Sequence, residues 1–265
     1  MTSSSIIDLD ARRVYKHPPI IEAIVEFTFG GGEDWNLTIP GRLYERVRDS
    51  YPGEPQQREI VEANWGTEGA DGVDPPNQGL ALTVSKKSER VVFSSDNKLL
   101  MVGPAVLSVH SLAPYEGWES LHARATDALE KYCEVARPEC ISSIGLRYVN
   151  RIKLPGPTVA FEEYFTVAQA LPATGFPPNL GAFFDRMELY YEEIPARIAF
   201  TWASVNSDDP EAAVFLLDLD LRWRDKTPFE NADSNLADLR GRERAAFESL
   251  ITNKLREIFD ADQIA

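Results

Sequence analysis

Arg147, Val149 and Arg151 alternate with Leu146, Tyr148 and Asn150 along one apolar run, residues 140–154. Successive side chains of an extended chain point to opposite faces, so the two guanidiniums share one face. Two arginines so placed can grip a carboxylate or phosphate through paired N–H donors. A second run, residues 20–29, puts Glu22 and Glu26 on one face by the same rule. A third, residues 214–224, does so for Asp218 and Asp220, with Leu217, Leu219 and Leu221 on the other side. Paired carboxylates can hold magnesium or work as acid and base, but two of them on an alternating strand also read as its solvated half. Two chemistries stay open for the set Glu22, Glu26, Arg147, Asn150, Arg151, Asp218 and Asp220. If the glutamate run lies beside the arginine run, opposite charges form a ladder that fastens the two strands. Otherwise Arg147 and Arg151 clamp an anionic small molecule or nucleotide, with Glu22 or Asp218 as base or metal ligand.

Beyond these pairs the chain is poor in chemical signatures. His17, His110 and His122 are scattered and lack the spacing of metal ligands. The chain has no Gly-x-Ser-x-Gly elbow, no phosphate-binding Gly-x-x-x-x-Gly-Lys and no dinucleotide fingerprint. Gly30-Gly31-Gly32 precedes acidic residues and reads as a turn. No catalytic set, cofactor or metal is therefore expected.

The elements that must hold the candidates can be read from periodicity. His17-Pro18-Pro19 enforces an extended entry into the first strand. Residues 40–51 carry Leu43, Tyr44 and Val47 at helical spacing, and residues 118–135 place Leu121, Ala125, Ala128, Leu129 and Tyr132 on one stripe. Strands are expected near 59–65, 80–85, 90–94 and 99–112, with a loop over 66–78 and Lys86, Lys87 and Arg90 at the polar end of a hairpin. The second half repeats the order: a strand over 140–154, a short helix over 161–171, strands near 182–192, 196–205 and 214–224. A closing helix with a break spans 234–260. Trp118-Glu119-Ser120-Leu121 and Phe247-Glu248-Ser249-Leu250 occupy matching places in the two long helices, where Trp118 and Phe247 should anchor helix to sheet.

The expected fold is α+β: a flexible segment over 1–17, a first repeat over 18–138 and a second over 139–265, fused into one domain. That duplicated order resembles the TATA-binding-protein-like architecture, a curved antiparallel sheet with two long helices on one face. A helix-grip fold is the alternative. Several segments also resemble a bacterial family described as sporadically distributed: Pro18-Pro19-Ile20 with Glu22-Ala23 and Glu26, Tyr115-Glu116-Gly117-Trp118-Glu119, Gly145-Leu146-Arg147-Tyr148-Val149-Asn150-Arg151-Ile152, Leu217-Asp218-Leu219-Asp220, and Leu236-Ala237-Asp238-Leu239-Arg240. The family often carries His where Arg240 stands. The resemblance implies no particular reaction; the patchy distribution implies mobile accessory genes of the toxin–antitoxin or phage-defence kind.

Composition narrows the partners. With 27 basic and 42 acidic residues the net charge is −15, so a polyanion is repelled at long range and nucleic acid is disfavoured. The same charge can steer a basic protein partner, and a homo-oligomer is compatible with it. No apolar run reaches the length of a membrane helix, Met1 to Asp8 has no signal-peptide pattern, and Cys133 and Cys140 read as reduced thiols. These features together predict a cytoplasmic, non-enzymatic protein-binding module.

Overall fold

The computed structural model describes residues 13–32, 35–66, 81–167 and 182–260. In chain order the elements are β1 (Ile20–Gly30), α1 (Thr38–Val47), β2 (Gln56–Gly66), β3 (Ala81–Ser95), β4 (Lys98–Gly103), β5 (Val106–Leu112), α2 (Trp118–Ala136), β6 (Cys140–Pro155), β7 (Phe184–Tyr190), β8 (Ala196–Val205), β9 (Ala212–Trp223), α3 (Ala232–Leu250) and α4 (Asn253–Asp260). The nine strands form one antiparallel sheet in the order β2-β3-β4-β5-β1-β6-β9-β8-β7. β1 and β6 are neighbours at its centre, with Val25 opposite Leu146 and Phe27 opposite Ile144. Each also pairs with the last strand of its own half, β1 with β5 and β6 with β9.

Alternation decides which face is covered. Ala23, Val25 and Phe27 of β1, Leu146 and Tyr148 of β6, and Leu217, Leu219 and Leu221 of β9 are all buried on one face. The apolar stripe of α2 packs over β5 and β1, while Leu236, Leu239 and Phe247 bring α3 over β6 and β9. Burying both stripes against one sheet face removes each from water at once. α1 buries Ile39, Leu43 and Val47 and packs beside α2. His122 Nε2, 2.7 Å from Asp233, links α2 to the start of α3. Tyr15 docks edge-on against Phe247 and Phe259.

Three expectations need correction, and a fourth lies largely outside the described residues. Residues 81–95 form a single strand, and Lys86-Lys87 lie within it. Its pairing slips between Val61↔Lys87 and Glu62↔Ser85, so a bulge absorbs the polar stretch. Residues 99–112 form two strands instead of one, because Pro104 and the left-handed Ala105 (φ 55°) turn the chain. The helix expected over 161–171 is a single 3-10 turn, Phe161–Glu163, within the described residues; 168–171 lie outside them. Its backbone groups are used elsewhere: Thr166 N–H donates to Leu250 and Thr252 N–H donates to Tyr164, tying this segment to the break between α3 and α4. Phe161 and Phe165, four apart as on a helix, instead pack around Trp202 and Phe215. Finally, most of the loop expected over 66–78 lies outside the described residues, as do residues 1–12 of the N-terminal segment.

Candidate functional site

The face opposite the helices gathers most of the predicted residues. Arg147 of β6 donates from Nε and Nη2 to the two carboxylate oxygens of Asp218 on β9, at 2.8 and 2.6 Å. This is the bidentate geometry in which a guanidinium binds a carboxylate best. Asp218 is 5% exposed, so it is not the solvated half of a strand as its alternation suggested. Hydrogen bonding to Asp218 holds the Arg147 guanidinium above its ordinary pKa.

Glu26 is met by Arg222, which the sequence reading did not select. Arg222 Nη1 reaches from β9 across β6 to Glu26 on β1, and its Nε donates to Asp220 at 3.0 Å. That reach requires Gly145, which lies between them in register. A Cβ at Gly145 would fall 2.7 Å from the Arg222 guanidinium nitrogen. Burial works against charge on both groups: it would raise the Glu26 carboxyl, but Arg222 pulls it below its usual value. It would lower the Arg222 guanidinium, but Asp220 and Glu26 hold it above. Asp220 also lies 3.7 Å from Arg197 of β8, whose Nε is 3.2 Å from Glu188 of β7. Charges therefore alternate in one row, Glu26, Arg222, Asp220, Arg197, Glu188, from the sheet centre to its edge.

Glu22 belongs to a separate relay. His110 of β5 lies with Nδ1 2.8 Å from Glu22 Oε1 and Nε2 2.9 Å from Ser108 Oγ. Its hydrogen bond to Glu22, reinforced by the charge of Arg147, keeps that carboxyl below its ordinary value despite partial burial. Ser108 and His110 are buried, two apart on one strand and hence on one face. Sequence spacing in search of metal ligands passed over them; the same-face alternation of β5 would have found them, as Asp218-Leu219-Asp220-Leu221-Arg222 would have found Arg222.

Two predicted residues stand apart. Asn150 lies under the helices, where its amide donates to the Leu217 carbonyl at 3.1 Å and ties β6 to β9. Arg151 is exposed and forms no ion pair among the described residues. Its backbone N–H donates to Pro19. Arg147 and Arg151 therefore do not converge as a clamp. Among the described residues no group of three His, Cys, Asp or Glu is placed to hold a metal ion. Arg240 stacks over Tyr148 at 4.7 Å and Trp118 at 5.4 Å and pairs with buried Glu243. A cavity of about 240 Å³ between α2 and α3, lined by Phe27, Leu129, Cys133 and Leu236, touches none of the predicted residues.

One edge of the described sheet is an apolar strand. Phe184, Met187, Leu189 and Tyr190 of β7 are 54%, 44%, 54% and 67% exposed. Ser204 N–H donates to Phe183 and Tyr191 N–H to Ala196, so the odd-numbered residues of β7 face β8. The N–H and C=O groups of Phe184, Arg186, Glu188 and Tyr190 consequently face outward. Among the described residues no strand lies beyond them. No helix of the described residues is long and apolar enough to cross a membrane.

No family model and no curated protein matches the chain. Among solved structures, S. pombe Pct1 RNA triphosphatase in complex with the Spt5 CTD aligns at 11% identity over 93% of this chain and 83% of that chain. The TM-score is 0.12, at which the likeness carries no argument about fold or activity.

Proposed function

We propose that the protein is a non-enzymatic docking module that receives an extended polypeptide segment along the outer edge of β7. The observation that carries this is that β7 ends the described sheet and holds Met187, Leu189 and Tyr190 at 44%, 54% and 67% exposure. Natural sheets normally blunt such an edge, because it templates pairing with another chain. Adding a strand supplies backbone hydrogen bonds for affinity and side-chain contacts for selectivity. The predicted charged residues act mainly as the ladder that fastens β1, β6 and β9, since Arg147 and Arg222 already grip carboxylates. Duplication of a half-domain, as in the TATA-binding-protein-like architecture, is supported by the central β1–β6 pair and by each strand's second pairing within its own half. The resemblance to the sporadically distributed family supports a role for such a module in a mobile defence or toxin–antitoxin operon.

Glu188→Pro tests the reading. The Glu188 N–H faces away from β8, so proline there removes an outward donor and leaves the β7–β8 ladder intact. Partners co-purified from the native host with wild type should be lost with the variant, while folding by circular dichroism is retained. Equal recovery on both baits would overturn it.

A second reading, an enzyme acting on an anionic small molecule, is favoured by one observation: Ser108, His110 and Glu22 are linked in the order of a nucleophile–base–carboxylate relay. A fluorophosphonate probe should then label Ser108 in wild type and not in His110→Ala; an unlabelled wild type rules this reading out.

A further inference from the structure

We infer that the cavity between α2 and α3 is a binding site for a small primary amine carried on an aromatic body. The site is separate from the β7 edge and from the charge row of the open face. Protein interiors are close-packed and leave few voids larger than a water molecule. Here the side chains bordering the gap at Thr126, Cys133 and Ala232 are short, and a cavity of about 240 Å³ lies between the helices. Its floor is Phe27 of β1 and its walls include Leu129 and Leu236, all buried. An apolar cavity of about 150 Å³ takes up benzene, so this one has room for a ring with a short chain. Phe229, which also lines it, and Phe27 offer a ring-shaped ligand aromatic contacts.

The mouth of the cavity selects the sign of the ligand's polar end. Glu130 of α2 and Asp233 of α3 line it and are exposed, and no Lys or Arg does so. Asp233 Oδ1 lies 2.7 Å from His122 Nε2. Glu130 forms no hydrogen bond or ion pair among the described residues. Asp233 stands in the first turn of α3, where its charge offsets the positive end of that helix. Burial, with the Glu130 charge adding to it, pushes the Cys133 thiol up to about 11. A carboxylate drawn into the cavity meets the same two penalties. An ammonium group reverses both: its apolar body leaves water while its charge stays at the wet rim between two carboxylates. A ligand so placed ties α2 of the first half to α3 of the second.

The experiment is a titration of the purified full chain with phenethylamine, followed by NMR through the methyl signals of Leu129 and Leu236. Both signals should shift and saturate with a dissociation constant of about 1 mM or below, as befits so small a ligand. Phenethyl alcohol, the same body without the charge, should bind about threefold more weakly. Hydrocinnamate, its anionic counterpart, should not saturate. The double variant Glu130→Gln with Asp233→Asn should bring the amine to the affinity of the alcohol and leave the alcohol unchanged. Ala232→Phe, which fills the cavity, should abolish binding of both. Methyl signals that do not respond to phenethylamine, or do not saturate, overturn the proposal. Equal or tighter binding of the alcohol or of hydrocinnamate overturns the amine as the ligand class. Amine binding that survives Ala232→Phe overturns the location; if that variant does not fold, Thr126→Leu narrows the same cavity from α2 and is read in the same way.

Discussion

The centre of the sheet and its β7 edge are built from similar residue types and end in opposite states. At the centre, Arg147 lies against a carboxylate on the next strand, and Arg222 against one on its own strand and one on β1, two strands away. At the edge, Arg186 and Glu188 share a strand with Phe184, Met187, Leu189 and Tyr190, all largely exposed. The first residues of the other edge strand differ in kind: Gln56, Gln57, Arg58 and Glu59 of β2 are exposed and polar. Charges at the centre are spent on holding strands together. An isolated cross-strand pair at a wet edge contributes little to stability but sets which strand pairs with which, and in what register.

Stability measurements can break this comparison from the centre outward. Gly145→Val should have the largest effect. Its side chain would expel the Arg222 guanidinium and strand Glu26 and Asp220, costing about 3 kcal/mol in denaturant unfolding. A loss under about 1 kcal/mol would mean that the row does not fasten the sheet. Arg147→Ala should cost about 2 kcal/mol, because it leaves the nearly buried Asp218 without its partner. Asp218→Ala should cost less, about 1 kcal/mol, because Arg147 is 44% exposed and can turn to water. Equal losses from the two substitutions would show that Asp218 rehydrates as readily as Arg147.

Acid provides a third probe. Glu22 and Glu26 have folded-state pKa values below their ordinary ones, the first through His110 and the second through Arg222 outweighing burial. The unfolded chain therefore takes up protons first as pH falls. The stabilisation is complete above the unfolded value of about 4.3 and is lost as pH drops through the lower folded values. Glu243 acts in reverse: burial raises its carboxyl, so its contribution is complete below the unfolded value and fades as pH rises through the folded one. Comparing wild type with Gly145→Val cancels Glu243. The variant should lose less stability on acidification, and parallel curves would sever Glu26 from Arg222. The smallest effect on stability belongs to Glu188→Pro, about 1 kcal/mol or less, although its effect on association should be the greatest of all these variants.

Much of this arrangement was legible in advance, though unevenly. The leucines at 217, 219 and 221 announced a strand with one buried side, and the helical stripe from Leu121 to Tyr132 announced α2. Alternation alone assigns the side chains of Arg147 and Asp218 to a face. Their partnership was not legible, since strand order brings together positions 71 residues apart. For the same reason Asn150 and Arg151, neighbouring positions on one strand, meet different surroundings: the first lies under the helices and the second is exposed. The helix expected after Phe161 gave way because its backbone groups were claimed by the break between α3 and α4.

Local pattern, then, determined the central strands and the long helices, and which side of each faces the core. Period-two and period-3.6 burial are properties of short segments, and long runs such as β9 and α2 keep them in the fold. Only the tertiary structure decided that Arg222 crosses Gly145 to reach Glu26, that His110 joins Ser108 to Glu22, and that β7 is left at an edge. Those outcomes depend on strand neighbours and register, which arise from long-range pairing and have no counterpart in the spacing of residues along the chain.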